Sequence, residues 1–222
     1  MRFHRILSAF CIPAIATIAL LPLVSSTQSC VKPTPATPQI TARWSDNFDR
    51  TQLGADWYAT NGSWTLNDGT LHVADARNHP LWLRRRLPRD ARIEFDAWSE
   101  SPDGDIKCEV YGDGRAYATQ DSYTATSYVV IFGGWRNSIN AIARMNEHGN
   151  DRQERRGPRV TQNQHYHWVI ERRGNTLSWS VDGSPLLEFN DPAPLAGPGH
   201  EYFAFNNWMV GLGFDNLVIT PL

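Results

Sequence analysis

Cysteine is scarce in this chain, helical periodicity is nearly absent, and the usual catalytic signatures are missing. The 222 residues include three cysteines, Cys11, Cys30 and Cys108. No G-x-S-x-G, H-E-x-x-H, P-loop or dinucleotide fingerprint occurs, so no nucleophile elbow, zinc-binding helix or phosphate cradle is encoded. Gly112-Asp113-Gly114 and Gly133-Gly134 read as turns. There is no internal repeat. A basic excess is lacking too: the formal net charge is −2, which argues against nucleic acid as a partner.

What is present begins at the N-terminus. Arg2, His4 and Arg5 precede an apolar run from Ile6 to Val24, followed by small polar residues and Cys30. This is the layout of a bacterial export signal, expected over 1–29. A membrane-spanning helix needs about 20 apolar residues, and Pro13 and Pro22 interrupt this run. Val24-Ser25-Ser26 suits ordinary cleavage. Thr27-Gln28-Ser29-Cys30 is similar to a lipobox, in which a small residue precedes a lipidated cysteine, although Thr27 stands where Leu is usual. Residues 30–42 are rich in proline and threonine, an extended spacer that packs poorly. Cys30 is therefore expected to carry lipid and hold the protein to a bilayer in the cell envelope. The alternative is a periplasmic or secreted protein. A disulfide to Cys108 is disfavoured, because Cys108 alternates with Ile106 and Val110 as a buried strand residue. Taking Arg2 and Arg5 from 21 Lys+Arg, against 23 Asp+Glu, leaves 19 cations and a mature net charge of −4.

Residues 43–222 are about the size of one all-β domain. Short apolar or alternating runs sit between turn residues. Trp64-Thr65-Leu66 and Thr70-Leu71-His72-Val73 flank Asn67-Asp68-Gly69, a hairpin signal. Further strands are expected at 81–87, 92–98, 105–111, 128–132, 139–145, 165–171, 176–181, 186–189, 202–205 and 214–219, with turns at Gly174-Asn175 and Asp182-Gly183. Many closely spaced short strands indicate an antiparallel sandwich or barrel.

Two runs alternate clearly. Ile93, Phe95 and Ala97 share one strand face; Arg92, Glu94, Asp96 and Trp98 share the other. Ile106, Cys108 and Val110 oppose Asp105, Lys107, Glu109 and Tyr111. Successive side chains point to opposite faces of a strand. Side by side, the two strands would bury one apolar face and display a polar face with aromatics at its end. Of the nine tryptophans, Trp44, Trp57, Trp64, Trp82, Trp168 and Trp179 are expected in the core and Trp208 on a loop. The runs Arg84-Arg85-Arg86 and 152–159 read as solvated faces and a loop. His165 and His167 read as an exposed edge pair lacking a third metal ligand.

The opening Trp44-Ser45-Asp46-Asn47-Phe48-Asp49, the stretch from Gly62-Ser63-Trp64 to Asp68-Gly69-Thr70-Leu71, the Trp179 to Val181-Asp182-Gly183 hairpin and the closing Phe214-Asp215-Asn216-Leu217-Val218 resemble concanavalin A-like lectin and glucanase domains. The resemblance covers nearly all of 43–222. It implies a jelly-roll β-sandwich with first and last strands adjacent. The whole chain also resembles bacterial lipoproteins of unknown function. Some relatives hold calcium near the positions of Asp46 and Asp215; the preferred reading of these is capping aspartates that bond turn amides.

Glucanases of that superfamily carry E-x-D-x-E or E-x-D-x-x-E on one strand. Glu94-Phe95-Asp96-Ala97-Trp98-Ser99-Glu100 has its second glutamate six residues on. At about 3.3 Å per residue the two glutamates are some 20 Å apart, too far for a retaining pair. Glycoside hydrolysis or lysis is thus the alternative reading, as is a structural envelope lipoprotein with no small ligand. The leading expectation is non-catalytic glycan binding by a polar-aromatic groove of Glu94, Asp96, Trp98, Asp105, Lys107, Glu109, Tyr111, Trp135 and Arg136, where amide and charged groups bond hydroxyls and a flat aromatic covers the sugar. No cofactor or metal enters this reading, and a monomer is expected.

Overall fold

A computed structural model describes residues 37–120 and 123–222. The expected export signal, Cys30 and most of the spacer lie outside the described residues. The packed region starts inside the expected spacer: Gln39 pairs with Arg86 and Ile40 is buried.

Fifteen strands follow one another: β1 (Trp44–Asp46), β2 (Trp57–Ala59), β3 (Trp64–Asn67), β4 (Thr70–Val73), β5 (Leu81–Leu83), β6 (Ala91–Ser99), β7 (Ile106–Gly112) and β8 (Tyr128–Gly133). Then come β9 (Ile139–Arg144), β10 (Gln153–Arg155), β11 (Tyr166–Arg173), β12 (Thr176–Val181), β13 (Ser184–Asn190), β14 (Tyr202–Asn206) and β15 (Leu212–Pro221). They form two antiparallel sheets. The eight-stranded sheet has the order β13-β12-β11-β6-β15-β4-β3, with β1 also paired to β15. The seven-stranded sheet has the order β10-β9-β8-β7-β14-β5-β2. The first and last strands are adjacent, Trp44 opposite Ile219. The fold is the expected antiparallel jelly-roll sandwich.

Local chemistry explains the turns. Asp68 and Gly69 at the β3–β4 hairpin, and Asp182 and Gly183 at the β12–β13 hairpin, all have positive φ. Both central residues of a type I′ turn need that geometry, which matches the strand twist. Asp46 accepts the Phe48 amide and the Trp57 indole N–H, the capping role expected of it. β10 falls in a stretch expected as loop; its three exposed residues form the sheet edge against β9. His165 precedes β11, an interior strand, so the expected edge position is corrected.

The core lies between the sheets. Phe95 stacks on Trp168, with centroids 5.2 Å apart, and meets Phe205 edge-on. Trp168 in turn packs on Trp179. Trp57, Trp64, Trp82, Trp168 and Trp179 are buried, as expected, and Trp44 packs against the core from its rim. Cys108 is fully buried and its thiol is free; burial pushes its pKa up. Among the described residues no helix is long and apolar enough to cross a membrane.

One expectation fails in an instructive way. β6 and β7 do not lie side by side. β6 is central in the eight-stranded sheet, between β11 and β15, and β7 is central in the other, between β8 and β14. The connection through Gly104 and Asp105, both with positive φ, carries the chain across the end of the sandwich. Each strand turns its apolar face inward, so their polar faces point in opposite directions.

A cleft at one end of the seven-stranded sheet

The nine residues expected to form one groove separate into four places. Glu94, Asp96 and Trp98 lie on the outer face of the eight-stranded sheet. Glu94 pairs with Arg92 at 2.8 Å. Asp96 meets His167 Nδ1 at 2.8 Å and accepts a bond from Asn216 Nδ2 at 2.9 Å. These polar groups satisfy one another. Trp98 is only 8% exposed. Its indole lies over Gly213, where a Cβ would clash with the ring, and His165 stacks on it at 4.1 Å. Trp98 therefore fills the space over a glycine and presents no sugar platform.

Tyr111 is in the core. Alternation places it outward, but its φ of 61° and the register shift opposite it on β14 mark a bulge. A bulge adds one residue and re-aims the side chain. The ring turns inward, 2% exposed, under the Arg172 guanidinium at 4.3 Å. Its hydroxyl finds no protein partner.

Glu109 does face outward, yet it is fully buried, beneath the segment that carries Tyr123. It accepts hydrogen bonds from the Tyr123 hydroxyl, the Ser127 hydroxyl and Asn206 Nδ2. Burial pushes its pKa up to about 7, and the hydrogen bonds from Ser127 and Tyr123 limit the rise.

The remaining four, Asp105, Lys107, Trp135 and Arg136, do come together. They line a cleft of about 530 Å³ with Asn78, Glu147, His148, Trp208 and Met209, within the size range of small-ligand sites. Lys107 forms its floor, 3% exposed. Its ammonium donates to Asn78 Oδ1 at 3.1 Å and Glu147 Oε2 at 3.0 Å. Burial disfavours the charge, but Asp105 and Glu147 outweigh that and raise the lysine's pKa overall. Asp105 stands at the mouth of β7. Burial pushes its carboxyl up to about 6, against the pull of Lys107. No described residue donates a hydrogen bond to that carboxylate. It is a half-buried acceptor facing the cleft with its bonding capacity unused.

Two half-buried tryptophans stand in the lining. Arg152 lies over the Trp135 ring at 4.8 Å and His148 meets it edge-on. Arg77 lies over Trp208 at 4.9 Å. Trp208 was legible as a loop residue but not as part of a site; Asn78 and Glu147 carried no local signal.

The backbone around the cleft is unusual. Arg77, Asn78, Asp105, Trp135, Arg136 and Asn137 all have φ between 51° and 61°. Asparagine and aspartate tolerate this region, whereas Arg77, Trp135 and Arg136 each pay on the order of 1–3 kcal/mol. The left-handed turn of 135–137 is held from below. Asn137 Nδ2 donates to the Pro102 and Val160 carbonyls, and its Oδ1 accepts the Val160 amide. Asn140 accepts the Gly133 amide and donates to the Pro158 carbonyl. Two well-bonded asparagines thus hold Trp135 and Arg136 over the floor.

Fold and cleft define the class: an antiparallel jelly-roll β-sandwich with a polar-aromatic cleft on one sheet. No protein-family model and no curated protein sequence matches the chain. Among solved structures it is similar to the carbohydrate-binding module CBM66 from Bacillus subtilis, at 15% identity over 75% of this chain and 96% of that one, with a TM-score of 0.57. It is similar to a prokaryotic β-1,3-1,4-glucanase (lichenase) derived from a mouse hindgut metagenome, at 12% identity over 82% and 100% of the two chains, TM-score 0.58. The exoplasmic/lumenal domain of VIP36 matches at 9% identity over 80% and 91%, TM-score 0.60. At these identities the likeness is one of fold.

Proposed function

We propose that the cleft binds carbohydrate without cleaving it. The observation that carries this reading is Asp105: a half-buried carboxylate with no protein donor, beside the Lys107 ammonium in a cleft that two tryptophans also line. Sugars need acceptors and donors for hydroxyls and a flat apolar surface for the ring face. A glycan would bring hydroxyl donors to Asp105 and lay a ring against Trp135 or Trp208. That the fold recurs in a carbohydrate-binding module and a glucanase supports the class of ligand.

Binding is preferred to hydrolysis because of how the carboxyls near Asp105 are surrounded. Retaining and inverting glycosidases set two carboxyl groups about 5–5.5 Å or 6.5–9.5 Å apart across the sugar. Of the carboxyls near Asp105, Glu109 is enclosed and committed to three protein donors, Glu147 is paired with the Lys107 ammonium, and Asp103 is exposed to solvent. The test is a glycan array with the full-length protein in detergent. Binding that Trp135→Ala and Asp105→Asn each weaken at least tenfold is expected; no signal across a broad array refutes the reading.

We further propose that the protein is exported and tethered through a lipidated Cys30, displaying the cleft at the cell envelope. Support comes from the basic, apolar and small-polar order of 1–29 and from the proline-rich spacer. Mass spectrometry of the mature N-terminus should find acylated Cys30; an unmodified Thr27 start refutes the anchor.

A further inference from the structure

Beyond the cleft, on the side of Asn78, lies an aromatic pair that the binding site does not include. Tyr117 is 45% exposed, and its ring stacks on His79 with centroids 5.2 Å apart and planes 25° from parallel. The pair is fixed in place. His79 Nδ1 bonds the Ala76 carbonyl at 2.9 Å, and the Trp64 indole N–H donates to the His79 carbonyl. The Ala118 amide, next to Tyr117, donates to the Asn78 carbonyl at 2.9 Å. Asn78 is also the residue that receives the Lys107 ammonium on the cleft floor. One residue therefore joins the floor to the aromatic pair.

Sheet order turns this into a direction. Trp135 follows β8, Lys107 lies on β7, Trp208 follows β14 and His79 precedes β5, and these strands are neighbours in that order. Three inter-strand steps of about 4.8 Å separate the ends of the row, roughly 14 Å. Aromatic groups thus stand at the ends of three of these four adjacent strands, with Lys107 on the fourth. A single sugar ring held at Asp105 would leave the Tyr117–His79 end unused. The Tyr117 ring is exposed although it rests on a rigid support, an arrangement that gains nothing for the core.

We propose that the ligand is a glycan chain running across the strands, and that Tyr117, backed by His79, is a second platform for a ring beyond the one held at Asp105. The inference rests on the carbohydrate reading of the cleft and deepens it by naming the ligand as an oligosaccharide.

The test uses full-length protein in detergent and calorimetric titration. The probes are six-residue β-1,3-glucan, β-1,4-glucan, β-1,4-xylan and β-2,6-fructan, each with its monosaccharide. At least one hexasaccharide is expected to bind tenfold or more tighter than its monosaccharide. Tyr117→Ala should weaken the hexasaccharide about 3- to 10-fold, the range of one aromatic contact, and leave monosaccharide binding unchanged. Tyr117→Phe keeps the ring and should bind as the wild type does. Equal hexasaccharide affinity in Tyr117→Ala and wild type, or equal affinity for both probe lengths, overturns the inference while the cleft reading stands. Silence of every probe on the wild type overturns this inference, and only silence across the broad array overturns the cleft reading as well.

Discussion

β6 and β7 are near-twins in composition, yet the faces they build differ. On β6 the outward groups Arg92, Glu94 and Asp96 find partners on the neighbouring strands: Glu171 and His167 from β11, and Asn216 from β15. That face is a neutralised surface, and its hollow of about 390 Å³ is bordered by Arg92 and Glu171, which already pair with each other. On β7 the outward groups lie under and between loops. Glu109 is sealed by the segment bearing Tyr123, Lys107 is met by Glu147 from the loop after β9, and Asp105 is left open in the cleft that Trp135 and Trp208 also line. The same alternation produces a satisfied sheet face in one place and a site in the other. The difference is supplied by the loops that cross over the strand, and by whether they bring enough partners.

Mutations can test that contrast. The largest effect is expected at Lys107→Met, which leaves Glu147 and Asp105 without their cation; breaking one side of a buried pair costs about 3–5 kcal/mol. Chemical denaturation would measure it, and a loss below about 1 kcal/mol would place the lysine outside the buried network. Trp98→Ala should also be severe, about 3 kcal/mol of folding stability, but with glycan binding unchanged. Trp135→Ala should show the opposite pattern, small in stability and large in binding. If both tryptophans behave alike, the distinction between the two faces fails.

Acidity gives two intermediate effects. Glu109 is held at about 7 in the fold, above its ordinary 4.5. The folded protein therefore takes up a proton that the unfolded chain releases between those values. Stability from this group is fully present below about pH 4.5, falls as pH rises toward 7, and levels off above it. Melting curves should show a higher Tm at pH 5.5 than at pH 8, a difference that Glu109→Gln reduces. Asp105, raised to about 6, accepts ligand hydroxyls best when ionised, so affinity should hold above pH 7 and decline below 6. His148 and Glu147 face the same cleft, so the control is Asp105→Asn: its weaker binding should lose that decline. Smallest of all, Asp96→Asn should shift stability by no more than about 1 kcal/mol, as befits an exposed ion pair, and leave binding untouched.

The strands, their inward faces and the hairpin turns were legible because each depends on neighbours in sequence. Phe95 and Ile93 alternate with charges, and Asp68-Gly69 supplies the two positive φ values that its turn demands. The site was half legible. Asp105, Lys107, Trp135 and Arg136 were identified by residue type, and Lys107 is one of only two lysines in the chain, a signal that could have singled it out further. Asn78, Glu147 and Trp208 were not identified, because they reach the cleft from segments distant in sequence. Tyr111 was misplaced because one bulge inverts the alternation from which it was read, and Trp98 because its partner is a glycine on another strand.

By itself the sequence determined an all-β sandwich with its apolar residues turned inward, since two-residue periodicity and turn chemistry are local properties of the chain. Tertiary structure decided which of the outward faces became a site. A free carboxylate at Asp105, a matched ammonium at Lys107 and a backbone held left-handed beneath Trp135 exist only where loops from five strand ends converge. The energy of each group depends on the partners brought to it through space, and those are not written beside it in the chain.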